Sequence, residues 1–175
     1  MRFAIAAAAV TGLLAGCGMM ESMTDRAPTA KATLHPNKDS DVKGAATFAQ
    51  KGDKVQLVAN ISGLKPGQEH GFHIHEKGDC SSGDGMSAGG HFNPLGKPHA
   101  HPSTPDRHAG DMFALKADDY GNATLSIELD VITVTEGPVG IIGRGLIVHA
   151  QPDDYSTQPT GNAGARVACG VIQEG

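Results

Sequence analysis

Val55-Gln56-Leu57-Val58-Ala59-Asn60-Ile61 alternates two sets of side chains at every step. In an extended chain Val55, Leu57, Ala59 and Ile61 share one face and Gln56, Val58 and Asn60 the other, and this period of two marks a half-buried strand. Leu64-Lys65-Pro66-Gly67 ends the run with a turn. Working outward, Leu125, Ile127 and Leu129 alternate with Thr124, Ser126 and Glu128 in the same way. Shorter apolar runs at Ala45–Phe48, Gly71–Ile74, Val131–Val134 and Leu146–Val148 continue the pattern. No window carries a sustained helical stripe. With 24 Gly and 10 Pro in 175 residues supplying tight turns, the chain is predicted to be all-β: one antiparallel Greek-key β-sandwich or barrel.

Two stretches do not fit strands. Residues 77–112 hold four His and four Pro, and residues 150–168 hold Pro152, Asp153, Asp154, Pro159 and Gly161. Structureless loops of that length inside a compact domain are usually functional or disordered. An apolar fraction of 39% provides for a real core, and a formal net charge of -5 excludes nucleic-acid binding on electrostatic grounds. Nine His are many for this length, and their crowding between His70 and His108 points to metal.

The N-terminus reads as an export signal. Arg2 precedes the apolar run Phe3–Val10 with Leu13 and Leu14, which is too short to remain as a membrane span. Leu14-Ala15-Gly16-Cys17 resembles a lipobox. Residues 1–16 are therefore expected to be a lipoprotein signal peptide, 17–30 a flexible tether lipidated at Cys17, and 31–175 the functional domain. The expected location is the periplasm, with the lipid anchoring the chain to a membrane of the cell envelope, the outer one by expectation. Lipidation of Cys17 leaves Cys80 and Cys169, which in an oxidising compartment are expected to pair rather than remain free thiols.

His73-Ile74-His75 ends an apolar run, and residues i and i+2 of a strand project together, so both imidazoles can reach one ion. His91, His99, His101 and His108 follow, with Asp111 three residues beyond the last. Far downstream, Leu146-Ile147-Val148 leads into His149. Imidazoles with a carboxylate suit copper and zinc better than calcium or magnesium, which take more oxygen ligands.

Gly71-Phe72-His73-Ile74-His75-Glu76, Gly90-His91-Phe92-Asn93-Pro94, Arg107-His108-Ala109-Gly110-Asp111, Val148-His149 and the run from Gly161 to Gly170 resemble copper/zinc superoxide dismutase. The resemblance spans Lys31 to the C-terminus, and the family is a known instance of the sandwich architecture. It implies copper held by His73, His75, His91 and His149, and zinc held by His91, His99, His108 and Asp111. His91 would bridge the two ions. Steps of eight and nine residues between His91, His99 and His108 keep the family's zinc-loop length, which leaves His101 spare. His70 resembles a residue that holds backbone, and His35 reads as a solvated surface residue.

Asp153 matches a carboxylate that joins a copper His to a zinc His, Arg166 the cation that guides the anion, and Cys80–Cys169 the disulfide beside it. The implied activity is dismutation of superoxide to oxygen and hydrogen peroxide, with His91 and Arg166 catalytic, protecting the envelope. A metal-buffering domain would not need Arg166, and a zinc-only structural domain would not need His149. The implied partners are the superoxide substrate and, through lipid on Cys17 alone, a membrane; a homodimer and a monomer both remain open. No Lys or Arg lies between His149 and Arg166, so steering is expected to fall to Lys77 and Lys97.

Overall fold

The computed structural model describes residues 27–175. Ten strands follow one another: β1 (Thr29–Pro36), β2 (Lys43–Lys51), β3 (Lys54–Ser62), β4 (Glu69–His70), β5 (Phe72–His75), β6 (Leu115–Lys116), β7 (Ala123–Leu129), β8 (Gly145–His149), β9 (Arg166–Val171) and β10 (Gln173–Glu174). One curled antiparallel sheet runs in the order β5-β8-β9-β1-β2-β3-β7, with β10 also on β1. The late strand β9 lies beside β1 of the meander β1-β2-β3, which is the Greek-key relation. The expected all-β antiparallel class is thus the one observed. Among the described residues the only helical segment is a single 3-10 turn, Met86–Ala88.

Alternation builds this sheet as the sequence implies. Val55, Leu57, Ala59 and Ile61 are buried inside the curl, and across the register Phe48 faces Leu57 while Ala46 faces Ala59. Phe48, Phe72, Leu34, Leu57, Ile74 and Leu146 are fully enclosed, each contributing about 1.5–3 kcal/mol by leaving water.

Three expectations need correction. Val131–Val134 is not a strand: Ile132 and Val134 are buried, but only Thr133 bridges, in parallel, to Gly140 across a short loop through Gly137. The last residues of the 150–168 stretch belong to β9, where Arg166 pairs with His149 and Ala168 with Val148. The domain also begins earlier than residue 31, because Ala30 and Ala32 are buried as alternate residues of β1, pairing Phe48 and Ala46. The expected signal peptide, Cys17 and most of the expected tether lie outside the described residues.

β5 and β8 are buried along their whole lengths, so each has two occupied faces. Phe72 and Ile74 fill the main core; His73 and His75 project from the opposite face. On β8, Leu146 and Val148 join that core, while Ile147 packs with Cys169, Ala88 and Cys80 in a second small cluster. Because β8 pairs with both β5 and β9, His73, His75, His149 and Arg166 converge at one end of the sheet.

Candidate metal centre

Two groups of ligand atoms stand side by side among the described residues: His73, His75, His91 and His149 form one, and His91, His99, His108 and Asp111 the other. In each group the atoms lie within 4.8 Å of one another, and all seven residues are buried. His91 belongs to both. Its backbone bridges His75, and Asp111 bridges His73, so β5 itself carries the long loop's ligands.

Hydrogen bonds decide which nitrogen each ring presents. His75 donates from Nδ1 to the Gly89 carbonyl at 3.0 Å, leaving Nε2 for the first group. His149 Nδ1 lies 3.4 Å from the Gly164 carbonyl, and its Nε2 is 3.4 Å from His75 Nε2. His73 is turned the other way: Nε2 meets Asp153 Oδ2 at 2.7 Å, and Nδ1 is buried without a partner. His91 Nδ1 meets Asp111 Oδ1 at 2.9 Å, while its Nε2 is likewise buried and unpartnered toward the first group. A neutral imidazole has one donor and one acceptor nitrogen, so a bond at one end fixes a lone pair at the other.

The second group gathers on Asp111. Its Oδ2 accepts from the backbone N–H of Ala100 and of His108, both at 3.1 Å. Its Oδ1 faces Nδ1 of His91, His99 and His108 at 2.9, 2.9 and 3.4 Å. Burial alone would raise this carboxyl's pKa, yet the three imidazoles hold it far below the carboxylate range. Asp153 is also held low, against burial, by His73 and His99. Its Oδ1 lies 3.1 Å from His99 Nε2, so one carboxylate joins a ring of each group. His91 is pulled down to about 4, first by burial and then by His73 beside it, with Asp111 opposing. His99 is raised to about 9, its two carboxylates outweighing burial. His75 and His149 are pushed well down by burial and by neighbouring rings.

Convergent imidazole nitrogens, with His73 Nδ1 and His91 Nε2 buried and without a partner, and one carboxylate oxygen are the donor set that copper and zinc prefer. The residues therefore fit both ions.

Arg166 stands at the rim of an open cavity of about 480 Å3 that also reaches His75, His91 and His149. Its Nη1 donates to the Gly85 carbonyl and its Nη2 to the Gly89 carbonyl, both at 2.6 Å. The Gly89 carbonyl thus holds His75 and Arg166 together. Cys80 and Cys169 form a disulfide with Cα atoms 5.8 Å apart, tying the 80–89 loop to β9 three residues from Arg166. Burial lowers the guanidinium's pKa and the nearby Asp84 opposes this.

The remaining His stand apart. His101 is exposed against Phe113 and Tyr155, with Nδ1 accepting from Ser103 N–H. His70 Nδ1 donates to the His149 carbonyl at 2.9 Å, and His35 is exposed. Lys77 and Lys97, expected to steer the anion, do not line the cavity. Lys77 borders a separate groove beside Phe92, and Lys97 pairs with Asp106 at 2.7 Å. Lys38 lines the cavity instead, brought there by the turn after β1 and held by its N–H to the Gly83 carbonyl. Sequence reasoning missed Lys38, the Gly85 and Gly89 carbonyls and Gln158, none of which lies in a motif.

An antiparallel Greek-key sheet carrying two buried imidazole groups that share one ring, with a guanidinium at the cavity rim, defines a two-metal redox protein. The family model for copper/zinc superoxide dismutase (SODC) matches residues 42–172. A superoxide dismutase [Cu-Zn] 2 of Brassica juncea is 46% identical over 143 residues, spanning 78% of this chain and 92% of its own. The crystal structure of the clock protein EA4 superposes with a TM-score of 0.77 at 42% identity, covering 85% of this chain and 95% of its own. This chain belongs to the copper/zinc superoxide dismutase family. It is an oxidoreductase that converts superoxide to oxygen and hydrogen peroxide, with copper and zinc as its cofactors.

Proposed function

We propose that His73, His75, His91 and His149 hold copper and that His91, His99, His108 and Asp111 hold zinc, with the His91 ring between them. The observation that carries this is the membership of His91 in both ligand groups, Nδ1 toward Asp111 and Nε2 toward the other three rings. When bound, copper supplies a one-electron couple and zinc a redox-silent dication. Arg166 draws the anion in: a guanidinium stays charged at any physiological pH and offers several donors, and two carbonyls fix its orientation. His91 Nε2 has one lone pair, so it would either hold copper or carry a proton for the departing peroxide, and the Asp111 side keeps the ring in place in both cases. Asp153 fixes the tautomers of His73 and His99. Lys38 is the cavity's second cation, partly offset by Asp84 on the same lining.

Metal analysis of the purified chain, followed by a superoxide-consumption assay on the same sample, tests this reading. One copper and one zinc per chain are expected, with loss of zinc and a distorted copper spectrum together in His91→Ala. Retention of both in that variant would break the bridge.

We further infer that the mature chain begins at Cys17, is lipidated there, and works in a bacterial periplasm as an envelope-protecting lipoprotein. Leu14-Ala15-Gly16-Cys17 supports this, and the Cys80–Cys169 disulfide suits an oxidising compartment. Expression in a Gram-negative host should place the chain in the membrane fraction, and Cys17→Ala should release it; equal fractionation of the two would overturn the anchor.

A further inference from the structure

His99 sits in residues 93–107, a segment without strand or helix, and yet its ring must be placed against both Asp111 and Asp153. Its own peptide is buried and finds no backbone partner among the described residues. Both of its polar groups go to one side chain 59 residues away. His99 N–H donates to Gln158 Oε1 at 2.9 Å, and Gln158 Nε2 donates to the His99 carbonyl at 2.7 Å. A carboxamide used in this way imitates one rung of an antiparallel ladder. Only Asn and Gln carry a donor and an acceptor so disposed.

Gln158 lies in the loop that forms one wall of the anion cavity. Thr160, Asn162, Ala163, Gly164 and Ala165 line that cavity and follow Gln158 closely in the chain. The fit against the zinc side is tight. Gly161, at φ 69°, packs where a Cβ would overlap Asp153 Oδ1 and crowd His99 Nε2. The loop thus meets His99 twice, at its ring through Asp153 and at its peptide through Gln158.

We propose that Gln158 is a positioning residue that locks the cavity wall to the backbone of His99, so that zinc binding and the shape of the anion channel are coupled. This rests on the zinc assignment made above. Ordering His99 for zinc orders the wall, and by linkage an ordered wall strengthens zinc binding by the same factor. Gln158 is itself exposed, so its replacement leaves the core intact.

The test compares Gln158→Met, which keeps length and loses both bonds, with Gln68→Met. Gln68 donates to the Ala150 carbonyl at 2.9 Å and holds the start of the same loop without touching His99. Two readouts are taken: hydrogen exchange of the His99 amide in the metal-free chain, and zinc release to a chelator from the loaded protein. Gln158→Met should speed each about tenfold, the scale of a lost bond to a buried peptide group, while Gln68→Met should change neither by more than about twofold. Unchanged values in Gln158→Met, or equal changes in Gln68→Met, would overturn the coupling. The exchange readout needs no metal. A wild-type chain that took up no zinc would overturn the zinc assignment and this role with it, whereas normal zinc uptake with unchanged exchange in Gln158→Met would overturn the clamp alone.

Discussion

The β1-β2-β3-β7 side of the sheet and the loop side, residues 77–112 and 150–165, are ordered by different physics. On the sheet side, long antiparallel ladders cover an apolar interior of Val55, Leu57, Ala59, Phe48 and their neighbours. Many small, interchangeable contributions add up there. The loops have few backbone ladders. A handful of individual bonds orders them: three imidazoles on Asp111, two on Asp153, the disulfide, the Gly85 and Gly89 carbonyls on Arg166, and the Gln158 pair. The difference teaches that the sheet should tolerate loss of metals while the loops should not, and that single substitutions act locally on one side and diffusely on the other.

The largest expected effect is on the loop side. His91→Ala should cut superoxide turnover by about a hundredfold or more while far-ultraviolet circular dichroism retains the strand signal; a collapsed strand signal would erase the contrast. Leu57→Ala is its counterpart on the sheet, since Leu57 is fully buried. It should lower unfolding free energy by about 2–5 kcal/mol in urea titrations, with copper and zinc content unchanged. Replacing both Cys80 and Cys169 with Ser opens a loop of 89 residues. The chain-entropy model puts the loss at about 4.6 kcal/mol, and here catalytic efficiency should fall as well, because the carbonyls that hold Arg166 are no longer tethered.

Arg166→Ala should slow turnover about tenfold at low salt, with copper retained and a weaker salt dependence. Lys38→Ala should have a smaller effect of the same kind, about twofold, and Lys77→Ala none; the reverse order in stopped-flow assays would return steering to the groove beside Phe92.

Acidity should separate the regions too. In the metal-free chain, His91 has its pKa lowered to about 4 by burial. Its contribution to stability is present above the unfolded value, about 6.5, and is lost as pH falls from there toward 4. His99, raised to about 9, works in the opposite sense: its contribution is complete below about 6.5 and is lost as pH rises through 9. Amide exchange of the loops should therefore quicken at both ends of this range, while β2 and β3 stay protected.

How much of this was legible follows from the same contrast. Alternation in Val55–Ile61 and Leu125–Leu129 reports burial on one face, so β3 and β7 could be read residue by residue. Thr29–Pro36 carries the same alternation with small Ala residues, a weak signal beside a segment read as tether. Val131–Val134 shows the converse, since its apolar residues are buried without a ladder. At the site, His73 and His75 were legible as a candidate pair through strand geometry, and the other candidate ligands through motif resemblance. Lys38 and Gln158 gave no sign, since each acts on a partner far along the chain.

What the sequence by itself determined was the period of the strands, the presence of imidazole and carboxylate groups of the kind copper and zinc take, and the oxidisable cysteine pair. Those depend on side-chain chemistry and short-range spacing. Only the tertiary structure decided which nitrogen each ring presents, which carbonyls hold Arg166, which lysine reaches the cavity and what clasps His99. Each of these is a hydrogen bond or a cavity wall shared by segments that meet only when β5, β8 and β9 pair, and directional bonds of that kind have no local signature.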